Sequence, residues 1–121
     1  MSESEFVKSV AEKADCGILL DVNNIFVNQY NHGDDPIKYI KEIPAERVGE
    51  IHLAGGEERE GYMLDTHSRE VPKDVWKIYQ AALKHCGNTP SLIEWDNEIP
   101  HFSVLAAQAN QADQYMSIWR P

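Results

Sequence analysis

Apolar positions along the chain follow two alternating patterns, one with the spacing of amphipathic helices and one with the length of buried strands. The segment 2–14 has the first pattern, and Ser2 or Ser4 can cap its first turn. Asp35 and Pro36 similarly mark the start of a short helix. Helices are predicted at 2–14, 36–43, 73–85 and 100–116, and strands at 17–22, 48–53 and 91–95.

This order of elements predicts the fold class. The predicted strands are mostly apolar, as expected for a parallel sheet covered on both faces, and a helix separates each strand from the next. Three parallel strands joined by right-handed connections leave two open sheet edges. We therefore expect an α/β fold with about three parallel strands of a larger barrel or sheet. Either the chain is a fragment, or another chain completes the structure.

The polar segments between these elements are predicted as loops. One follows the first strand, is rich in asparagine from 23 to 31, and continues with His32 and Gly33. A second covers 57–61, and a short extended piece is expected within the segment 62–71.

Composition and charge exclude several classes of partner. The chain has 121 residues, the size of one domain, with 42% hydrophobic and 26% charged residues. Its 20 acidic and 11 basic residues give a formal charge of -9, which argues against nucleic acid or an anionic membrane and favours cations, including metal ions. No apolar run reaches the roughly 18 residues of a membrane span, and the N-terminus lacks signal-peptide features. We therefore expect a cytoplasmic protein.

The two cysteines give no sign of a disulfide framework or a thiolate zinc site. Cys16 and Cys86 are far apart and belong to no recognisable thiol motif. Cys16 is expected to be a small buried residue.

Polar side chains gather where the predicted strands end. In parallel α/β folds these ends lie at a common edge, where functional groups usually collect. The residues concerned are Asp21 and Asn24 after the first strand, His52 at the end of the second, Glu94 and Asp96 at the end of the third, and Asp65 and His67 in the long segment after the second.

The chemistry of these side chains favours a metal site. Carboxylate oxygens and imidazole nitrogens are donors that iron, manganese and zinc accept, whereas a set without thiolates is poorly suited to iron–sulfur clusters. In an extended D-x-H segment, Asp65 and His67 point the same way and can reach neighbouring ions. A metal would also offset the cost of burying Asp21 at the end of an apolar strand.

Each of these residues also has an ordinary structural interpretation. Asp21 and Asn24 are suitable caps for the following turn, and His52 fits a hydrogen-bonded core histidine. Asp65 or Glu94 alone fits a surface acid. Their recurrence at equivalent strand ends is what favours a metal site.

Several segments resemble those of a known family. They are "CGILLDVNNIFVNQYNHG", "IHLAG", "LDTH", "VW..Y" and "LIEWDNEIP", in that order, and the resemblance extends from Glu5 to about Asp113. The chain is thus similar to the multinuclear non-heme iron-dependent oxidases, a family that includes the methanobactin-maturation oxidase. Complete members are much longer, and the resemblance is to their C-terminal half. Residues 1–121 are therefore expected to form an incomplete domain.

The resemblance implies a (β/α)8 TIM barrel related to xylose isomerase-like barrels, with two or three iron ions at the carboxyl ends of its strands. It implies use of dioxygen to modify cysteine or other residues of a ribosomally made precursor peptide, which a partner protein commonly presents. By motif, the implied metal ligands are Asp21, Asn24, His52, Asp65, His67 and Glu94, with His32 as a further candidate. Other ligands of the family lie in its N-terminal half, so this chain alone is expected to be inactive, and no catalytic residue is assigned.

Two other functions remain open. A divalent-metal isomerase or phosphodiesterase on a similar barrel would also collect Asp, His and Glu at strand ends, with a metal other than iron. A truncated module that binds metal without catalysis would retain the same ligands. A homo-oligomer or a companion chain that completes the barrel is compatible with each function.

Overall fold

Three parallel strands form the central sheet. The computed structural model describes residues 1–119. In chain order the elements are α1 (Glu3–Ala14), β1 (Ile18–Asp21), α2 (Val22–His32), α3 (Pro36–Glu42), a 3₁₀ turn (Ala45–Arg47), β2 (Val48–Leu53), β3 (Gly55–Arg59), β4 (Tyr62–Arg69), α4 (Lys73–Cys86), β5 (Ser91–Ile93) and α5 (Phe102–Ser117). The sheet order is β1–β2–β5, with both neighbouring pairs parallel. This confirms the predicted α/β fold, in which three parallel strands alternate with helices as in part of a TIM barrel.

The predicted helices form where caps and apolar spacing place them. Ser2 and Glu5 form a capping box, since each side chain accepts a hydrogen bond at 3.2 Å from the other residue's backbone N–H. Asp35 caps α3 by accepting from the N–H of Ile37 at 2.9 Å. Gly87 ends α4 with a φ of 81°. All elements predicted from the apolar pattern end within two residues of their predicted limits.

The helices cover one face of the parallel sheet. Leu20, Ile51 and Leu53 point toward them and pack in a single core to which all five helices contribute. On the other face, Leu19 and Leu92 are 54% and 47% exposed. In the part of the chain that the structure describes, the strands are therefore covered on one face, not on both as predicted. The exposed face corresponds to the interior side of a barrel wall.

The asparagine-rich segment after β1 is the helix α2, so the prediction of a loop there is wrong. The Asp21 carboxylate caps the helix by accepting from the N–H of Asn24 at 3.0 Å. Val22, Ile25 and Phe26 recur at helical spacing and are buried. Burial of this apolar face outweighs the weak helix preference of asparagine.

The polar segment after β2 is a β-hairpin. The loop predicted at 57–61 is wrong for 57–59, which belong to β3, whereas the extended piece expected within 62–71 is confirmed as β4. Strands β3 and β4 pair antiparallel across a two-residue turn that ends at Gly61, whose φ is 78°. Arg69 forms a 2.6 Å ion pair with Glu57 across the strands. Asn31 attaches the hairpin to α2, since its side chain donates to the carbonyl of Met63 at 2.9 Å and accepts from the same residue's N–H at 2.7 Å.

Cys16 is exposed, so the expectation that it is buried is wrong; it lies between the end of α1 and the start of β1. Within residues 1–119 no helix combines the length and apolar character needed to cross a membrane.

Gly55→Ala is expected to destabilise the protein, because a Cβ at this position would clash with the backbone carbonyl oxygens of Arg69 and Glu70. Overpacking of this kind costs about 1–3 kcal/mol. Gly49→Ala is the matched control, since a Cβ there meets no atom within 4 Å. Urea denaturation followed by circular dichroism measures both free energies of unfolding. Equal values for the two variants would contradict the close approach of the strands.

Candidate metal centre

The carboxyl ends of the parallel strands bring acidic and imidazole side chains to one edge of the sheet. Asp21 is the last residue of β1 and lies in register with His52 of β2. Glu94 follows β5, and its N–H donates to the carbonyl of Leu53 at 2.8 Å. This bond continues the strand pairing beyond β5 and brings Glu94 close to His52.

The hairpin adds the D-x-H pair to the same edge through an irregular stretch of β4. Between Leu64 and Arg69 the strand advances five residues while the paired part of β3 advances two. Asp65 and His67 lie in this bulge, and His67 has a left-handed φ of 50°. The N–H of Asp96 donates to the carbonyl of His67 at 2.7 Å, which attaches the bulge to the segment after β5.

The imidazole of His67 is the centre of the cluster, with carboxylates near both ring nitrogens. Its Nε2 lies 2.8 Å from Asp65 Oδ1 and 3.8 Å from Asp21 Oδ2. Its Nδ1 lies 2.9 Å from Asp96 Oδ2 and 3.5 Å from Glu94 Oε1. The His67 side chain is only 14% exposed, so these charges interact with little solvent between them.

Glu94 connects His67 to a second imidazole. Its Oε2 lies 3.1 Å from Nδ1 of His52, while Nε2 of His52 lies 2.7 Å from Glu50 Oε1. Because the two oxygens of Glu94 face different imidazoles, the cluster is continuous from Glu50 to Asp96.

The first turn of α2 supplies neutral donors to the same cluster. The side-chain Nδ2 of Asn23 donates to Asp65 Oδ1 at 2.6 Å, and that of Asn24 lies 3.3 Å from Asp65 Oδ2. Both oxygens of this carboxylate therefore accept from neighbouring residues of one helix.

The neighbouring carboxylates stabilise the protonated imidazoles in the absence of a bound cation. Burial alone would lower the pKa of His67, but its hydrogen bond with Asp96 and the surrounding negative charges outweigh burial and raise the pKa. Burial likewise opposes protonation of His52, but hydrogen bonds with Glu50 and Glu94 raise its pKa. Both rings thus respond to a local excess of negative charge.

Burial and neighbouring carboxylates both raise the pKa of the Asp21 carboxyl. Its burial raises its pKa, the hydrogen bond from the Asn24 N–H opposes that effect, and the charges of Asp65 and Glu94 raise the pKa further. Deprotonated Asp21 would be stabilised by a cation placed between it and these carboxylates.

The residues of this cluster fit a divalent first-row metal. Five carboxylates contact two imidazoles, so even full protonation of both rings leaves net negative charge. Buried Nε2 of His67 also has no hydrogen-bond partner among residues 1–119, because its 2.8 Å approach to Asp65 Oδ1 lacks hydrogen-bond geometry. Two sets of three donor atoms, each lying within 4.8 Å of one another, are available: Asp21, Asp65 and His67, and His67, Glu94 and Asp96. Oxygen and nitrogen donors of this kind suit iron, manganese or zinc.

The structure brings together most of the residues selected from the sequence. The members of the cluster are Asp21, Asn24, His52, Asp65, His67 and Glu94. His32 is exposed at the far end of α2, about 16 Å along the helix from Asp21 at 1.5 Å per residue. No contact described for residues 1–119 joins His32 to the cluster, and its role as a ligand stays a prediction.

Three further members were not selected as ligands from the sequence: Asn23, Glu50 and Asp96. Glu94 and Asp96 have the same spacing as Asp65 and His67, with one residue between the two side chains. This spacing could have indicated Asp96 as a candidate ligand. Asn23 could not be found in this way, because its role depends on the helix that replaces the predicted loop.

Comparison with known proteins identifies the family of this chain. The family model described as "RiPP precursor modification enzyme MbnB/TglH/ChrH" matches residues 1–117, where RiPP denotes a ribosomally made peptide that is modified after synthesis. The chain belongs to this family. The resemblance inferred from the sequence is therefore confirmed at the level of the family.

Three relatives carry the name UPF0276 protein. The one from Acaryochloris marina is 48% identical over 121 residues, which is 100% of this chain and 44% of the relative. Those from Anaeromyxobacter sp. and Chromobacterium violaceum are 47% and 45% identical over 112 residues, covering 93% of this chain and 40% and 41% of the relatives. The family member described here thus spans less than half the length of these relatives.

Ferrous iron is expected to raise the melting temperature of the protein under anaerobic conditions, because binding to the folded cluster stabilises the folded state. When the ferrous iron concentration is one hundred times its Kd, binding increases the free energy of unfolding by about 2.7 kcal/mol. For a domain of this size, that increase raises the melting temperature by roughly 10 °C. Differential scanning calorimetry with and without a chelator measures the shift.

His32→Ala tests the remaining candidate ligand by the same measurement; His32 is exposed and lies at the opposite end of α2 from Asp21. We expect this variant to keep the full shift. A shift lost in His32→Ala would place His32 among the ligands, and no shift in the unaltered protein would contradict the metal site.

Proposed function

We propose that this chain supplies a carboxylate and histidine half-site for iron in an oxidase that modifies a ribosomally made precursor peptide. The observation that carries the proposal is the position of His67, whose buried Nε2 lacks a hydrogen-bond partner within residues 1–119 and faces Asp65 and Asp21. Membership of a family of precursor-modifying enzymes supports a peptide as the substrate. Oxygen and nitrogen donors without thiolate support iron as one of the metals that fit.

In this proposal Asp21, Asp65 and His67 bind one metal ion through two carboxylates and Nε2. The proton of the neutral ring then resides on Nδ1, which donates to Asp96 at 2.9 Å and thereby fixes the tautomer that leaves Nε2 free. Iron, when bound, supplies the electrons that reduce dioxygen, which carboxylates and imidazoles cannot do.

His52 and Glu94 extend the proposed site toward a second ion. Glu94 contacts both imidazoles, and its carboxylate together with His52 would hold that ion. Asn24 adds an amide oxygen as a further neutral donor in this proposal, and its Nδ2 donates to Asp65 Oδ2 at 3.3 Å. The length of the cluster from Glu50 to Asp96 is consistent with two or three iron ions in the complete enzyme. Strands outside this chain would supply the further ligands.

The exposed sheet face supports the proposal that these further strands complete a barrel. Leu19 and Leu92 are exposed beside Glu50 and His52, so apolar side chains and ligands occupy the same face. We assign the chain to the C-terminal half of an oxidase barrel, as residues 1–121 of an incomplete domain. The remainder would come from a longer polypeptide or a companion chain, and the site would act with a protein that presents the precursor peptide in the cytoplasm.

Under this proposal the chain binds iron but does not complete the reaction alone. Asp65→Ala combined with His67→Ala removes two of the three donors on the Nε2 side and should abolish or strongly reduce iron binding. The measurement is iron content per chain after anaerobic reconstitution and desalting. His85→Gln is the matched control, because His85 lies outside the cluster and contacts the carbonyl of Ile43 at 2.8 Å.

The results separate the three candidate functions. We expect the double variant to lose its iron. We also expect the completed barrel to consume oxygen when a cysteine-containing peptide is present. Zinc or manganese with turnover of a sugar or phosphoester would indicate the isomerase or phosphodiesterase. Iron without oxygen uptake in the completed enzyme would indicate a binding module, and equal iron in the double variant and the unaltered chain would exclude this site.

A further inference from the structure

We propose that Asn23 is a positioning residue that fixes the Asp65 carboxylate in the orientation needed to bind the metal. This inference rests on the proposed metal centre, and it assigns a role to a residue that is not itself a ligand.

Asn23 connects the helix α2 to the hairpin. It lies in the first turn of α2, and its side chain is fully buried at 0% exposure. Its Nδ2 donates to Asp65 Oδ1 at 2.6 Å, at the short end of the range for hydrogen bonds to a charged acceptor. The donor is therefore fixed by the packing of the helix, while its acceptor belongs to another element.

Asp65 lacks comparable support from its own strand. It lies in the irregular stretch of β4, outside the regular register with β3, and its side chain is 25% exposed. The contact from Asn24 to its other oxygen is longer, at 3.3 Å. The bond from Asn23 is thus the short contact that joins Asp65 to a buried helical residue.

The orientation of the Asn23 amide follows from the charge of its partner. Rotation by 180° would place the amide oxygen against the Asp65 carboxylate, and two oxygens 2.6 Å apart would repel each other. In the favoured orientation Oδ1 of Asn23 is buried without a hydrogen-bond partner among the described residues. Leaving this atom unpaired is unfavourable, and the charge-assisted bond to Asp65 offsets the cost.

The bond leaves Asp65 able to bind metal. Each carboxylate oxygen has two lone pairs, so Oδ1 can accept from Asn23 and still face the side of the cluster where Nε2 of His67 lies 2.8 Å away. Orientation of a ligand by a hydrogen bond from a neighbouring residue commonly accounts for about 10- to 100-fold in metal affinity.

Asn31 provides a matched control on the same helix. It also connects α2 to β4, but through two hydrogen bonds with the backbone of Met63 and none with the cluster. A residue that only attaches the hairpin to the helix should therefore behave like Asn31. A residue that orients a ligand should not.

The test compares Asn23→Leu and Asn31→Leu in the full chain, because leucine has nearly the shape of asparagine but no donor. Ferrous iron affinity is measured anaerobically by competition with a chelator, and the Mössbauer spectrum of bound ⁵⁷Fe reports the ligand field. In the iron-free protein, the side-chain amide protons of Asn23 are examined by NMR and should show the downfield shift of a bond to a carboxylate.

We expect Asn23→Leu to weaken iron binding about 10- to 100-fold and to alter the Mössbauer spectrum. Asn31→Leu should lower the stability of the hairpin and leave the spectrum unchanged. If Asn23→Leu does not fold, Asn23→Ser serves instead, since its shorter hydroxyl cannot reach Asp65 and the same loss is expected.

Unchanged affinity and spectrum in the folded Asn23 variant would overturn the positioning role while leaving the metal centre intact. Equal losses in the Asn23 and Asn31 variants would also overturn it, because they would indicate attachment of the hairpin alone. Absence of iron from the unaltered chain would instead overturn the proposed metal centre and, with it, this inference. The NMR signal of the iron-free protein distinguishes these outcomes, because it reports the hydrogen bond between Asn23 and Asp65 whether or not iron binds.

Discussion

The excess of negative charge around His67 is the constraint on which this site depends. Asp21, Asp65, Glu94 and Asp96 surround one largely buried imidazole, and that ring carries at most one positive charge. Such a group of carboxylates is unfavourable in a folded protein unless a cation or an extensive hydrogen-bond network compensates it. The hydrogen bond with Asp96 and the surrounding charges raise the pKa of His67, and the charges of Asp65 and Glu94 add to the effect of burial in raising the pKa of Asp21. A bound metal ion resolves this excess of charge directly.

The fold brings these charges together by combining a regular and an irregular element. The parallel sheet sets Asp21 and His52 side by side through its register and brings Glu94 close to His52 through strand pairing beyond β5. The hairpin contributes Asp65 and His67 from a bulge that extra residues create in β4. The helix α2 connects the two, since it begins at the end of β1 and its asparagines contact β4. The proposed ligands therefore depend on a backbone that is largely held by apolar packing.

The sequence predicted the sheet well because its determinants are local. Apolar runs such as Val48–Leu53 mark the strands, and parallel strands bring polar groups such as Asp21 and His52 to one edge. The helix α2 and the hairpin were missed because asparagine and charged residues usually indicate loops, whereas burial of Ile25 and the pairing of β3 with β4 decide the structure. The partnership of Asn23 with Asp65 joins residues 42 positions apart, and no local pattern encodes it.

The most direct test of the metal centre is an anomalous-scattering measurement on crystals prepared anaerobically with ferrous iron, with data collected on both sides of the iron absorption edge. The proposed metal centre predicts an anomalous peak within bonding distance of Asp21, Asp65 and Nε2 of His67. A peak elsewhere, or none while these side chains keep the contacts seen here, would contradict it.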